Sequence, residues 1–98
     1  MTPVIFRKSR EAGQTFITAC FPTIPGSPGM ATCYAHVGQH GSYSRAWYIT
    51  TKAAKPAEYA DLLAELISIG YDDLKVYARE QPWMRQQLNR AWGEFGSY

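Results

Sequence analysis

Lys55-Pro56-Ala57-Glu58-Tyr59-Ala60-Asp61-Leu62-Leu63-Ala64-Glu65-Leu66-Ile67-Ser68-Ile69-Gly70 is the stretch whose reading decides the fold. Tyr59, Leu62, Leu63, Leu66 and Ile67 recur at the spacing of one helical face. Pro56 suits a first helical turn, where its missing N–H is not needed. Glu58 and Asp61 lie toward the positive end of the helix dipole. Gly70 is placed as the C′ residue that ends the helix. A helix with one apolar stripe has to bury it, and the segments around this one read as strands. The spacing therefore predicts a helix laid on one face of a sheet.

Working toward the N-terminus, residues 43–51 read as a fourth strand and residues 32–37 as a third, paired as a hairpin with residues 38–42 at its tip. Cys33, Ala35 and Val37 would share the small apolar face of the third strand. Thr32, Tyr34 and His36 would share the opposite one. Before them, Pro25-Gly26 and Pro28-Gly29 mark a loop over residues 22–29. Pro22 is expected to end the second strand, residues 15–21. Val4-Ile5-Phe6 is the first strand, joined to the second through Glu11-Ala12-Gly13-Gln14. Toward the C-terminus, Asp72-Asp73 turns the chain into a fifth strand over residues 74–78. Pro82 opens a second helix that runs to residue 92 and closes at Gly93. Trp83, Met84, Leu88, Ala91, Trp92 and Phe95 give that segment an apolar side.

The expectation is one α+β domain over residues 1–98, an antiparallel sheet of about five strands in the order ββββαβα, with the main helix packed on one face. The helix over residues 82–92 either docks on the sheet or serves a homo-oligomer.

The chain of 98 residues is long enough for a core without staples. Its 46% hydrophobic and 18% charged composition is that of a folding chain. The net charge of +2 is too small to argue for nucleic acid. Its distribution says more. Arg7, Lys8, Arg10, Arg45, Lys52 and Lys55 face Glu11 alone in residues 1–55, a balance of +5, and residues 56–98 carry −3. The first half is the expected anion-binding side. Cys20 and Cys33 lie in strand-like runs without CxxC spacing, which points to free thiols in a reducing cytoplasm. Met1-Thr2-Pro3 leads straight into strand-like residues rather than a leader, and no apolar run approaches the ~18 residues of a membrane span.

The densest polar chemistry runs from Tyr34 to Arg45. Gly38 and Gly41 free the backbone to approach a ligand. His36, Gln39, His40, Ser42 and Ser44 bring short donors beside Tyr34 and Tyr43. Arg45 brings a fixed cation suited to phosphate or carboxylate. The set expected to bind a small anionic, nucleotide-like ligand is Tyr34, His36, Gln39, His40, Ser42, Tyr43 and Arg45. The rival is a hairpin tip that is polar because tips are polar. His36-x-x-x-His40 lacks helical geometry and the glutamate of HExxH, so no metal and no cofactor is assigned. No residue is assigned as catalytic. A phosphodiesterase-like use of His36 and His40 needs both rings at one phosphate.

Phe21-Pro22-Thr23-Ile24-Pro25, Cys33-Tyr34-Ala35-His36-Val37-Gly38-Gln39-His40, Lys55-Pro56-Ala57-Glu58-Tyr59-Ala60-Asp61-Leu62 and Ile69-Gly70-Tyr71 together resemble a family of small uncharacterised bacteriophage and mobile-element proteins with an H-x-G-Q-H motif. The resemblance spans about residues 4–79 and carries no activity with it. It implies an accessory protein of the host cytoplasm that sequesters a nucleotide signal or, alternatively, blocks a host defence protein by binding it.

Overall fold

The computed structural model describes residues 1–35 and 39–93. The elements are β1 (Thr2–Glu11), β2 (Gln14–Pro25), β3 (Ala31–Ala35), β4 (Gln39–Tyr43), α1 (Arg45–Tyr48), β5 (Lys52–Ala53), α2 (Pro56–Ser68), β6 (Leu74–Tyr77) and α3 (Pro82–Trp92). The sheet is mostly antiparallel, in the order β4-β3-β2-β1. The far edge of β1 is shared. β6 runs parallel beside residues 2–5, and β5 pairs antiparallel with Arg7 and Lys8.

α2 forms as its sequence predicts, and both ends are satisfied locally. Glu58 reaches back to accept from the Lys55 N–H at 2.8 Å. At the other end Tyr71 N–H bonds Leu66 C=O and Gly70 N–H bonds Ile67 C=O, with Gly70 at φ +121°. That is a Schellman closure, and it needs the backbone freedom of glycine.

Both faces of the sheet are buried. On one, Val4, Phe6, Ala19, Phe21 and Tyr34 meet Leu62 and Leu66 of α2. On the other, Ile5, Cys20, Ala31 and Tyr43 meet Tyr48 of α1 and Met84 and Leu88 of α3. The C-terminal helix is thus docked on the sheet, on the face opposite α2. Two buried faces explain why residues 4–6 and 19–21 are continuous apolar runs instead of alternating ones.

Several strand boundaries differ from expectation. β4 covers Gln39–Tyr43, where a hairpin tip over residues 38–42 was expected, and Lys52–Ala53 adds a short strand that the sequence did not suggest. Pro22 does not end β2; it is buried within the strand, which continues to Pro25. The register shifts between Phe21 and Pro25, so the ladder is already irregular where proline lacks its donor. Residues 43–51 are not a strand beyond Tyr43. Ser44 adopts extended backbone (φ −95°, ψ 159°), and its hydroxyl accepts from Trp47 N–H, which starts α1.

Leu66 and Leu88 are each fully buried, one in each layer. Truncating either to alanine is expected to lower unfolding free energy by about 2–5 kcal/mol in urea denaturation. An unchanged midpoint for one of them would show that its layer is not part of the cooperative fold.

Candidate anion-binding site

The residues expected to form one site are divided by the sheet. Tyr34 and His40 stand opposite each other in the β3–β4 register and face α2. The buried Tyr34 hydroxyl donates to Glu65 Oε2 at 2.5 Å, and this bond, followed by burial, pushes the phenol pKa up. The His40 ring meets Tyr34 edge-on at 4.8 Å, and its Nε2 lies 2.9 Å from the Tyr71 hydroxyl. Tyr71 is held there by the Schellman turn and by stacking on Phe21, and burial raises its pKa. Ser42 accepts from Ser27 N–H at 2.7 Å and bonds Ser27 Oγ at 3.1 Å, fastening the proline-glycine loop. Gly26 makes that contact feasible, because a Cβ there would sit 2.6 Å from Ser42 Oγ.

Tyr43 and Arg45 belong to the other side. Tyr43 is buried beside Trp47 and Tyr48 on the α3 face. Arg45 begins α1 and bonds Glu80. Gln39 opens β4 opposite Ala35; its side chain, like all of His36, lies outside the described residues. The structure therefore brings Tyr34 and His40 together and separates both from Arg45.

What gathers around Arg45 comes from distant parts of the chain. Arg7, Arg45, Tyr48, Arg79, Glu80, Gln81, Pro82 and Arg85 line a depression of about 330 Å³. Among the described residues, four guanidiniums against one carboxylate give the lining a charge of +3. Arg7 is fixed by two 2.7 Å bonds to Thr51 and lies 4.4 Å over the Tyr48 ring. The Tyr48 hydroxyl accepts from the Glu80 N–H at 2.9 Å. Burial raises the Tyr48 pKa, partly countered by that bond. Glu80 Oε1 takes both Arg45 Nη1 at 2.9 Å and Arg85 Nε at 3.7 Å. Arg79 is exposed, and its guanidinium has no partner among the described residues.

A second basic depression, about 450 Å³ beside Lys8, Arg10 and Lys52, is weaker, because Lys8 is tied to Glu58 at 2.8 Å. Of the four arginines of the first depression, the first-half surplus of charge included only Arg7 and Arg45. Arg79 and Arg85, from the half with negative balance, are equal contributors.

Fixed guanidiniums bind tetrahedral or planar anions through parallel N–H donors and do not exchange protons near neutral pH. Among the described residues no group of three or more His, Cys, Asp or Glu side chains is placed to hold a metal ion. No helix of the described residues is long and apolar enough to cross a membrane. Comparison with protein-family models, with curated proteins and with solved structures returns no match.

The two thiols are cross-strand partners in β2 and β3 and are free. Burial pushes Cys20 well up, and Cys33 adds to it; burial also raises Cys33, partly countered by the Gly41 backbone. Both should be protonated and poorly nucleophilic at pH 7. A thiol-disulfide reagent such as DTNB is expected to label the native protein slowly and the urea-unfolded protein at once. A rapid phase in the native state would contradict the burial of these groups.

Proposed function

We propose that this protein binds a small phosphate-bearing, nucleotide-like ligand without transforming it, and that the arginine depression is the binding site. The observation that carries this reading is the convergence of Arg7, Arg45, Arg79 and Arg85 on one concavity with a single carboxylate among them. Like charges do not gather at such a density without a use or a strong compensating partner, since each pair repels. Glu80 compensates for only one of four. The lining supplies positive charge and directed donors, which is what a phosphate group requires.

The phosphodiesterase-like alternative finds less support. His40 faces α2 and is engaged with Tyr71, whereas Arg45 is on the α3 face. One phosphate held by Arg45 is out of reach of that ring. In the phage or mobile-element setting that the sequence resembles, a protein of this kind would sequester a nucleotide signal in the host cytoplasm.

Calorimetric titration with inorganic phosphate, pyrophosphate and a panel of linear and cyclic nucleotides tests the reading. Arg79→Ala is the informative variant, because this side chain has no structural partner among the described residues to lose. It is expected to weaken binding about tenfold or more, the usual worth of a charge-assisted contact. His40→Ala is expected to leave affinity in place. Silence across the panel from folded protein would reject the reading. Loss of binding in His40→Ala with none in Arg79→Ala would move the site to the β3–β4 hairpin.

A further inference from the structure

Among the described residues Glu80 is the one acid in the arginine depression, and its environment is unusual. Its side chain keeps only 8% of its exposure. Arg45 and Arg85 both address the same oxygen, Oε1. Oε2 is buried and has no hydrogen-bond partner among the described residues. Guanidinium and carboxylate ordinarily pair through two parallel bonds that use both oxygens. A buried carboxylate oxygen without a donor is costly, and such orphans are rare in folded proteins.

From this orphaned acceptor we infer that the ligand is a phosphate monoester with a hydroxyl close to the phosphate, the chemistry shared by sugar phosphates and nucleotides. The inference rests on the proposal that the depression binds phosphate. The phosphate engages Arg79 and draws on Arg45 and Arg85, whose side chains are 39% and 37% exposed. The Glu80 backbone keeps its place, because its N–H donates to the Tyr48 hydroxyl. As the guanidiniums turn toward the phosphate, the carboxylate loses part of its counter-charge and its need for a donor grows. A fully ionised phosphate has no donor and leaves that need unmet. On this inference the turn of the guanidiniums also uncovers Oε2, which is closed to solvent in the free protein, and a neighbouring hydroxyl on the same ligand donates to it. The single acid thus acts as a selector inside a cationic pocket: it weakens every anion by repulsion and restores affinity only to those that carry a donor at the right place.

The test compares ligands that differ in hydroxyl groups alone. Propyl phosphate and glycerol 3-phosphate have the same charge and nearly the same length. Wild-type protein is expected to bind glycerol 3-phosphate about tenfold tighter or more, the worth of a hydrogen bond to a charged buried group. Glu80→Gln is expected to bind propyl phosphate more tightly than wild type does, since the repelling charge is gone, and to lose the preference for glycerol 3-phosphate. Unfolding produces no gain in affinity, so this pair of opposite shifts does not arise from a damaged fold. If the variant does not fold, the wild-type comparison decides. Ribose 5-phosphate and AMP, titrated beside them, distinguish a free sugar phosphate from a nucleotide as the source of the ester. Ribose 5-phosphate binding more tightly than propyl phosphate, or AMP binding more tightly than its 2′,3′-dideoxy analogue, supports the inference. Equal affinity of wild type within each pair that differs in hydroxyl groups overturns it while leaving phosphate binding intact. A hydroxyl preference that survives in Glu80→Gln overturns the role of Glu80. Failure of every ester and of inorganic phosphate removes both the inference and the reading beneath it.

Discussion

Burial of β1 and β2 on both faces at once is the constraint from which the rest of the structure follows. Val4 and Phe6 turn toward α2 while Ile5 turns toward α3, and Ala19, Cys20 and Phe21 repeat the pattern on β2. Neither strand has a solvent face over residues 4–6 and 19–21, whereas the hairpin end at residues 10–16 is exposed. Burying a large aliphatic or aromatic side chain is worth about 1.5–3 kcal/mol, so leaving either helix undocked would forfeit several such contributions. The same constraint fixes register, because a one-residue slip would exchange the two core sets. It also makes the sheet a wall between two chemistries. Everything polar near β3 and β4 must emerge on one side or the other.

That wall gives the two polar clusters different work. On the α2 side, Tyr34, His40, Glu65 and Tyr71 form bonds that tie β3, β4 and the end of α2 together. Ser42 ties the proline-glycine loop to the same strand, and Trp92 of α3 holds that loop from another direction through Met30 C=O. These side chains are fastenings between elements far apart in sequence. On the α3 side, the guanidiniums around Glu80 are not all used in such fastenings. Arg7 and Arg45 are bonded, but Arg79 projects without a partner among the described residues and Glu80 carries an unmatched oxygen.

How much of this was legible depends on whether the signal was local. The helix over Pro56–Ser68 and its glycine closure were readable because every determinant lies within sixteen residues of sequence. The start of α3 at Pro82 was readable for the same reason. The class and the strand count follow from those helices and the apolar runs between them. The end of β4 was not readable. Tyr43, Trp47 and Ile49 alternate with smaller residues as a strand would, and a four-residue helix has no periodicity to set against that pattern. Ser44 as an N-cap was the one available signal, and serine is equally at home in a strand or turn. The arginine depression left no local trace. Its cations stand at positions 7, 45, 79 and 85, and only the parallel pairing of β6 with β1 brings the last two beside the first. Arg45 alone stood out because it neighbours a conspicuous hairpin.

Glu80 explains why a cluster of this charge can exist before any ligand arrives. Without it, four guanidiniums around one small depression would repel across a partly buried space, where the effective dielectric is lower than in water. With it, Arg45 and Arg85 are both drawn to one carboxylate oxygen. If phosphate binds there, as we propose, guanidiniums already gathered in this way would need less side-chain ordering on binding. If the depression is a phosphate site, as we propose, the carboxylate would compete with the ligand it helps to prepare for, and an occupant would have to replace what Glu80 loses as well as engage what Glu80 holds. A site of that kind would distinguish between phosphates more than concentrate them.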